Sequence, residues 1–247
     1  MQTDNWIHQM DFFHTESDNF ERDLHVIILG SLHASVNALS ADTEAYAKKL
    51  ETQIESAHEE YRDYLIDRQG EAFGDHAEQE RFQRNMAFVA IATRLIHALR
   101  TMLRSAETFF PRKKKYGDGS MSEIMRLWSE IGERFGIDIV MHADKIAFAT
   151  PLNDVRNQIV HDGGEANPQL PFERWTLEGG DASYLDLKFS DKYPEYVDGS
   201  GFLAAVRVTE EQFNKIFDDS ITLIKWLAAE LRACELAAVK VNSASSP

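Results

Sequence analysis

The stretch RNQIVHDGG sets Arg156 beside Asn157 and follows them, five and four residues on, with His161. Histidine gains and loses a proton near neutral pH, and a guanidinium presents a planar fork of donors that fits two phosphate oxygens at once. Together they suit chemistry at a phosphodiester, where one group moves protons and the other stabilises charge building up on the phosphate. An amide beside them can orient either one. With 15 Arg and 9 His in 247 residues, chance alone supplies about half a match to a bare Arg-x4-His spacing, so the weight lies in the surroundings.

Those surroundings predict a short helix over 151–162. Thr150 and Pro151 read as its N-cap and first residue, and Gly163 and Gly164 as its stop. At 100° per residue, Leu152, Val155, Ile159 and Val160 share one face with Arg156 among them, while Asn157 and His161 lie together on the other side. Arg156 and His161 are then about 140° apart. Either the long arginine reaches round the helix or a second subunit completes the site. The plainer alternative is a helix end capped by His161, with Arg156 in a buried ion pair.

The elements that must position this helix read as mostly helical. Residues 18–68 place Leu24, Ile27, Ile28, Leu32, Val36 and Leu39 at helical spacing and continue as an exposed, acid-rich helix until QGEAFGD breaks it. A second long helix is expected from His76 to Phe109, with Met86, Val89, Leu95, Ile96, Leu99 and Leu103 as its apolar stripe and Pro111 as its stop. Ser120 with Glu123, and Thr209 with Gln212, read as capping boxes opening two further helices, the last running to about Lys240 over Phe213, Ile216, Phe217, Ile221, Ile224, Leu227 and Leu231. YLDLKF at 184–189 alternates like a strand, with LAAVRV at 203–208 as its partner, so 172–208 reads as a β-hairpin insertion. The expectation is one all-α bundle over 1–247, with a helical extension at 1–70, that hairpin, and a disordered tail at 242–247.

Composition narrows the classes. The net charge of −15 argues against general binding to polyanions, yet Arg81 to Lys115 holds nine cations against one acid, Glu107. Arg100, Arg104, Arg112, Lys113, Lys114 and Lys115 are its candidates for gripping an RNA backbone; a solvated helix face followed by a basic loop is the alternative. The lone cysteine, Cys234, can form neither an internal disulfide nor a cysteine metal cluster, which fits a reducing cytoplasm. The start lacks a signal-peptide pattern, and VIILG and MAFVAIA are too short to span a bilayer, so neither secretion nor membrane insertion is expected. No metal or cofactor is expected. Glu55-x-x-His58 has the spacing of a di-iron half-site, but no other His has a Glu three positions before it. Trp6, Trp128, Trp175 and Trp226 read as core or interface rather than base-stacking residues.

RNQIVHDGG resembles the signature of the HEPN superfamily: an arginine with a polar residue after it, a spacer of four to six residues, then a histidine. The likeness covers about nine residues; the rest agrees in helical character alone. The resemblance implies a helical bundle, usually dimeric, and in many members a metal-independent endoribonuclease of toxin–antitoxin or phage-defence systems. His161 would then be the general base or acid, Arg156 the stabiliser of the phosphate, and Asn157 the group that orients the histidine or the ribose. A cognate antitoxin or regulatory protein would be a partner. The other reading is a catalytically inert dimer of the same fold that binds or regulates; the paired Arg156 and His161 favour the enzyme, the acidic total the binding module.

Overall fold

The computed structural model describes residues 12–106, 110, 122–161, 189–199 and 205–244. Helices α1 (Phe12–Arg22) and α2 (Gly30–Ser56) are joined without a break through a π-helical segment, Asp23–Leu29, and α3 runs back from Glu59 to Ser105. They are followed by α4 (Glu123–Phe135), α5 (Ala143–Ile146), α6 (Ala149–His161), α7 (Phe189–Lys192), β1 (Val197–Asp198), β2 (Ala205–Val206) and α8 (Glu210–Ala244). The fold is all-α, with one two-stranded ladder among the described residues.

The core forms where α3 presents Phe88, Ile91, Ala92, Leu95, Leu99 and Met102 to α1, α4, α6 and α8. Leu95, Leu99 and Leu103 of the expected stripe are buried, whereas Met86 is 43% exposed. Phe88 and Ile91 stand where the stripe begins. Arg94 fastens α1 to α3: Nε donates to Asp23 Oδ2 and Nη1 to Glu16 Oε1, both at 2.9 Å, with the guanidinium 5.3 Å above the Phe20 ring. Breaking such a half-buried pair strands a charge, so it specifies where α1 lies.

QGEAFGD does not break the helix. A glycine inside a helix costs about 1 kcal/mol relative to alanine, and Gly70 and Gly74 are outlasted by the other residues of a 47-residue helix. The break falls instead at Ala57 and His58, both with extended backbone, and the first-turn carboxylates Glu59 and Glu60 favour the start of α3. Ahead of the core, α2 and the first half of α3 project as an antiparallel arm. From Glu59 to Ala87 the helix rises about 42 Å. The arm's seam is thin: Ala47, Leu50 and Leu65 are buried, Ser40 Oγ meets His76 Nε2 at 3.2 Å, and Gln69 Nε2 donates to Ala47 O at 3.4 Å. The extension read at 1–70 therefore divides, with α1 in the core and the greater part of α2 in the arm. By length and composition, the Phe12–Ser56 run and α3 are apolar enough to cross a membrane, which the short apolar stretches alone did not suggest; half of that window in α3 is buried.

Ser122, not Ser120, caps α4, its Oγ accepting from Met125 N at 3.4 Å; Ser120 lies outside the described residues. At the other end Gly136 takes φ 71°, and Ile137 N–H returns to Gly132 O at 3.0 Å. A Cβ on Gly132 would come within 2.3 Å of the Ile139 side chain, so the chain folds back over a position only glycine fits. Buried Arg134 then pairs with Glu130 at 3.1 Å and donates through Nε and Nη2 to Phe110 O at 2.9 and 2.7 Å.

The hairpin differs from expectation. Residues 184–188 lie outside the described residues, Phe189 opens a short helix, and the partner of Ala205–Val206 is Val197–Asp198. Two residue pairs cannot hold a strand alone, and buried Asn85 supplies the rest: Nδ2 donates to Val206 O at 2.9 Å while Oδ1 accepts from Val208 N at 3.2 Å. The Thr209–Gln212 box is present in both directions, at 2.8 and 3.2 Å. The predicted α8 residues are buried except half-buried Ile221. Helix α8 continues through Ala244, so 242–244, read as part of a disordered tail, are helical, and 245–247 lie outside the described residues.

Asn85→Ala removes both of those bonds and leaves two buried backbone groups unpaired, so unfolding in urea should show a loss of about 2–4 kcal/mol. A second expectation concerns Glu235, buried on α8, whose carboxyl burial pushes from its ordinary 4.5 up to about 7. The folded chain then binds more protons than the unfolded one between those values. Its contribution is fully present below pH 4.5 and is lost as pH rises through 7. Glu235→Gln should therefore gain on the wild type in melting temperature between pH 5 and pH 8; a constant difference would remove Glu235 from the pH dependence.

Candidate functional site

Helix α6 begins at Ala149, one residue before the expected cap, with Leu152 N–H donating to Phe148 O at 3.0 Å. Thr150 and Pro151 are within its first turn, where a missing N–H costs nothing. Leu152, Val155 and Ile159 are buried, and α6 packs against α3, α4 and β2. Val160, assigned to this stripe, is 46% exposed. It lies 100° beyond Ile159, past the edge of the buried face. Gly163 and Gly164 lie outside the described residues.

Arg156 is half-buried, and its Nη1 donates to Asn157 Oδ1 at 2.8 Å. Its Nε is buried without a hydrogen-bond partner, and among the described residues no carboxylate lies within salt-bridge distance. The ion pair of the plainer alternative thus has no acid among those residues. His161 is exposed in the last turn of α6, four residues beyond Asn157. Arg156 Nη1 reaches the neighbouring Asn157, whose position on the helix wheel lies on the same side as His161; the described contacts of Arg156 do not include His161. The oxygen of Asn157 serves Arg156.

A neighbouring cluster was not read from the sequence. Asp154, three residues before Asn157 and seven before His161, shares their face and accepts from Tyr193 Oη at 2.6 Å and Lys192 Nζ at 2.7 Å. Desolvation pushes its carboxyl up, but the hydrogen bonds from Lys192 and Tyr193 outweigh that and hold it below the usual carboxylate range. Burial and the same carboxylate push the Tyr193 hydroxyl up, so it stays protonated as a donor. The cluster fastens α7 and the turn after it to the polar side of α6. Nothing in local spacing could reveal a pairing 39 residues long.

Four of the nine cations in the basic segment are paired. Arg81 pairs with Glu78, Arg84 with Glu80, Arg94 with Glu16 and Asp23, and Arg100 with Glu123. Arg104 is exposed and has no carboxylate partner among the described residues, while Arg112, Lys113, Lys114 and Lys115 lie outside them. Over the described residues of the segment, the excess of cations is therefore smaller in space than along the chain. Trp128 is buried against Trp226, with centroids 5.7 Å apart, as expected of core residues; Trp6 and Trp175 lie outside the described residues. Cys234, half-buried, directs its thiol to Phe135 O at 3.5 Å. Among the described residues no three His, Cys, Asp or Glu gather as a metal site, and Glu55 and His58 stand on opposite sides of the α2–α3 break.

If Arg104 and Lys113–Lys115 carry RNA affinity, changing the three lysines to Glu should lower the slope of log affinity against log salt by roughly 2, and Arg104→Ala by roughly 0.7, since each phosphate contact to a single strand contributes about that much. Filter binding across a salt series reads both, and unchanged slopes would exclude the segment from RNA contact. Compared with known proteins, the chain matches no family model, no curated protein and no solved structure.

Proposed function

We propose that the chain is a metal-independent endoribonuclease whose working groups are Arg156 and His161, with Asn157 positioning the arginine. The observation that carries this reading is the state of Arg156: a half-buried guanidinium without a carboxylate partner among the described residues, held by Asn157, with His161 exposed four residues beyond that amide. A buried cationic donor without an anion is costly, and a phosphate entering beside it would supply one.

The chemistry needs little else. His161 takes the proton of a ribose 2′-OH as its oxygen attacks the adjacent phosphorus, Arg156 stabilises the charge on the pentavalent phosphate, and the P–O5′ bond breaks. The imidazolium then returns the proton to the leaving 5′-oxygen, and a 2′,3′-cyclic phosphate remains. The likeness of 156–161 to the HEPN signature supports a role as a toxin or phage-defence effector, which brings with it a cognate antitoxin or regulator as partner. A second reading, a binding or regulatory module without cleavage, is favoured by the internal pairing of Arg81, Arg84, Arg94 and Arg100, which neutralises four of the nine cations counted from Arg81 to Lys115.

Gel analysis of RNA incubated with pure protein in EDTA separates the two. His161→Ala and Arg156→Ala should each lower cleavage on the order of a hundredfold or more, since each removes a transition-state interaction. Asn157→Ala should cost about tenfold, the scale of one orienting hydrogen bond. Products should end in a 2′,3′-cyclic phosphate. Cleavage abolished by EDTA, or undiminished in His161→Ala, contradicts the mechanism, and RNA bound but never cut leaves the binding module.

A further inference from the structure

We propose that the outer face of the α2–α3 arm docks a second copy of this chain, the two arms stacking into a four-helix bundle. From Leu24 to Ala41 the sequence has no Asp, Glu, Lys or Arg, and of these residues only Leu24, Ile28 and Leu32 are buried. Val26 and Ile27, on the π-helical segment that leads into α2, are 67% and 60% exposed, and on α3 Phe82 is 60% exposed. Met86, one turn on, is exposed as well. A groove of about 490 Å³ runs between the helices here, with Ser35, Leu39 and Asp42 on one wall and Phe82 among Glu78, Arg81 and two glutamines on the other.

The shape of this face matches itself. The Ser40–His76 and Ala47–Gln69 contacts set the register, so Phe82 stands level with Ala34. Ala34 and Ala38, both exposed, flank Ser35 on the α2 side. Phe82 is thus the bulky apolar residue of the α3 wall, and at its level α2 presents the small Ala34 and Ala38. A two-fold axis along the arm lays each α3 over the α2 of the other copy at the same level, so Phe82 enters the space above Ala34 and Ala38, and the contact closes because both copies offer the same surface.

Area and charge agree with this occupant. The 27 residues of α2 are about 40 Å long and two helices about 20 Å wide, giving about 800 Å² per copy, the amount a standard stable interface takes from each partner. Over residues 24–86 there are twelve acids and six bases, a balance that repels RNA and anionic lipid. The α2 lysines Lys48 and Lys49 have no carboxylate partner among the described residues. The same axis brings them beside Asp67 and Glu71 of the other copy. The arm's thin seam leaves apolar surface uncovered in a single chain, and a second layer covers it.

Sedimentation velocity of the full chain without RNA, from 1 to about 50 µM, tests the proposal. The expected result is a species of twice the 28.2 kDa chain mass. Phe82→Glu and Ala38→Glu should each return it to one chain mass with unchanged circular dichroism, while Val160→Glu on α6 and His161→Ala should leave the dimer intact. Amides across 24–41 in the wild type should exchange more slowly as concentration rises, a readout that needs no variant. A monomer throughout the range, a dimer that survives both arm substitutions, or one lost only in Val160→Glu overturns the proposal. So does a monomer that floats with neutral phosphatidylcholine vesicles, which would assign the face to lipid. Cleavage is read in a separate assay, so loss of the nuclease reading leaves this test untouched.

Discussion

Burial of one stripe on the second half of α3 organises the rest of the molecule. Phe88, Ile91, Leu95, Leu99 and Met102 are each fully enclosed, and burying a side chain of this size is worth about 1.5–3 kcal/mol. The stripe faces neighbours on several sides, so α1, α4, α6 and α8 must converge on it. Polar ties then specify how they converge: Arg94 sets α1, Asn85 sets the β ladder, and Arg134 sets the chain leaving α3 at Phe110. Each joins a buried or half-buried donor to a partner distant in sequence, so each discriminates against other packings more than it adds to net stability.

The proposed site inherits its character from this arrangement. Helix α6 gives its apolar residues to the core and has no room there for a guanidinium, so Arg156 lies across the edge of the buried face, its head tied to Asn157 and its Nε left without an acceptor. Asp154, by contrast, is satisfied by Lys192 and Tyr193 and is held ionised. One helix face thus carries an occupied polar cluster at one end and an exposed histidine at the other, with the arginine between them. That asymmetry comes from the fold, because Lys192 and Tyr193 arrive from a segment far along the chain.

What was legible in the sequence was local. The Thr209–Gln212 box, the apolar face of α8, and Leu152, Val155 and Ile159 on α6 all depend on residues within two turns of one another. Ser122 was missed because Ser120 offers the same chemistry two residues earlier, and no spacing rule ranks them. The glycines of QGEAFGD mislead because their cost is small beside the cooperativity of a long helix. The pairing of Arg100 with Glu123, the true partner of β2, and the Asp154 cluster are products of tertiary contact. A wheel gives side-chain directions from Cα and takes no account of reach, which is why the hydrogen bond from Arg156 to Asn157 was not legible in the sequence.

The unbroken course of α3 has a mechanical consequence. One end is clamped in the core from Ala87 onward and the other stands about 42 Å away as part of the arm. A helix without a proline or a π-bulge bends little, so the two ends turn together. A rotation of about 5° where Phe88 packs would sweep the tip near Glu59 through about 4 Å, the product of that angle and that length. A shift at the core too small to register in packing is thereby magnified at the distal end, and a load applied to the tip is delivered, with leverage, to the helix against which α6 is packed.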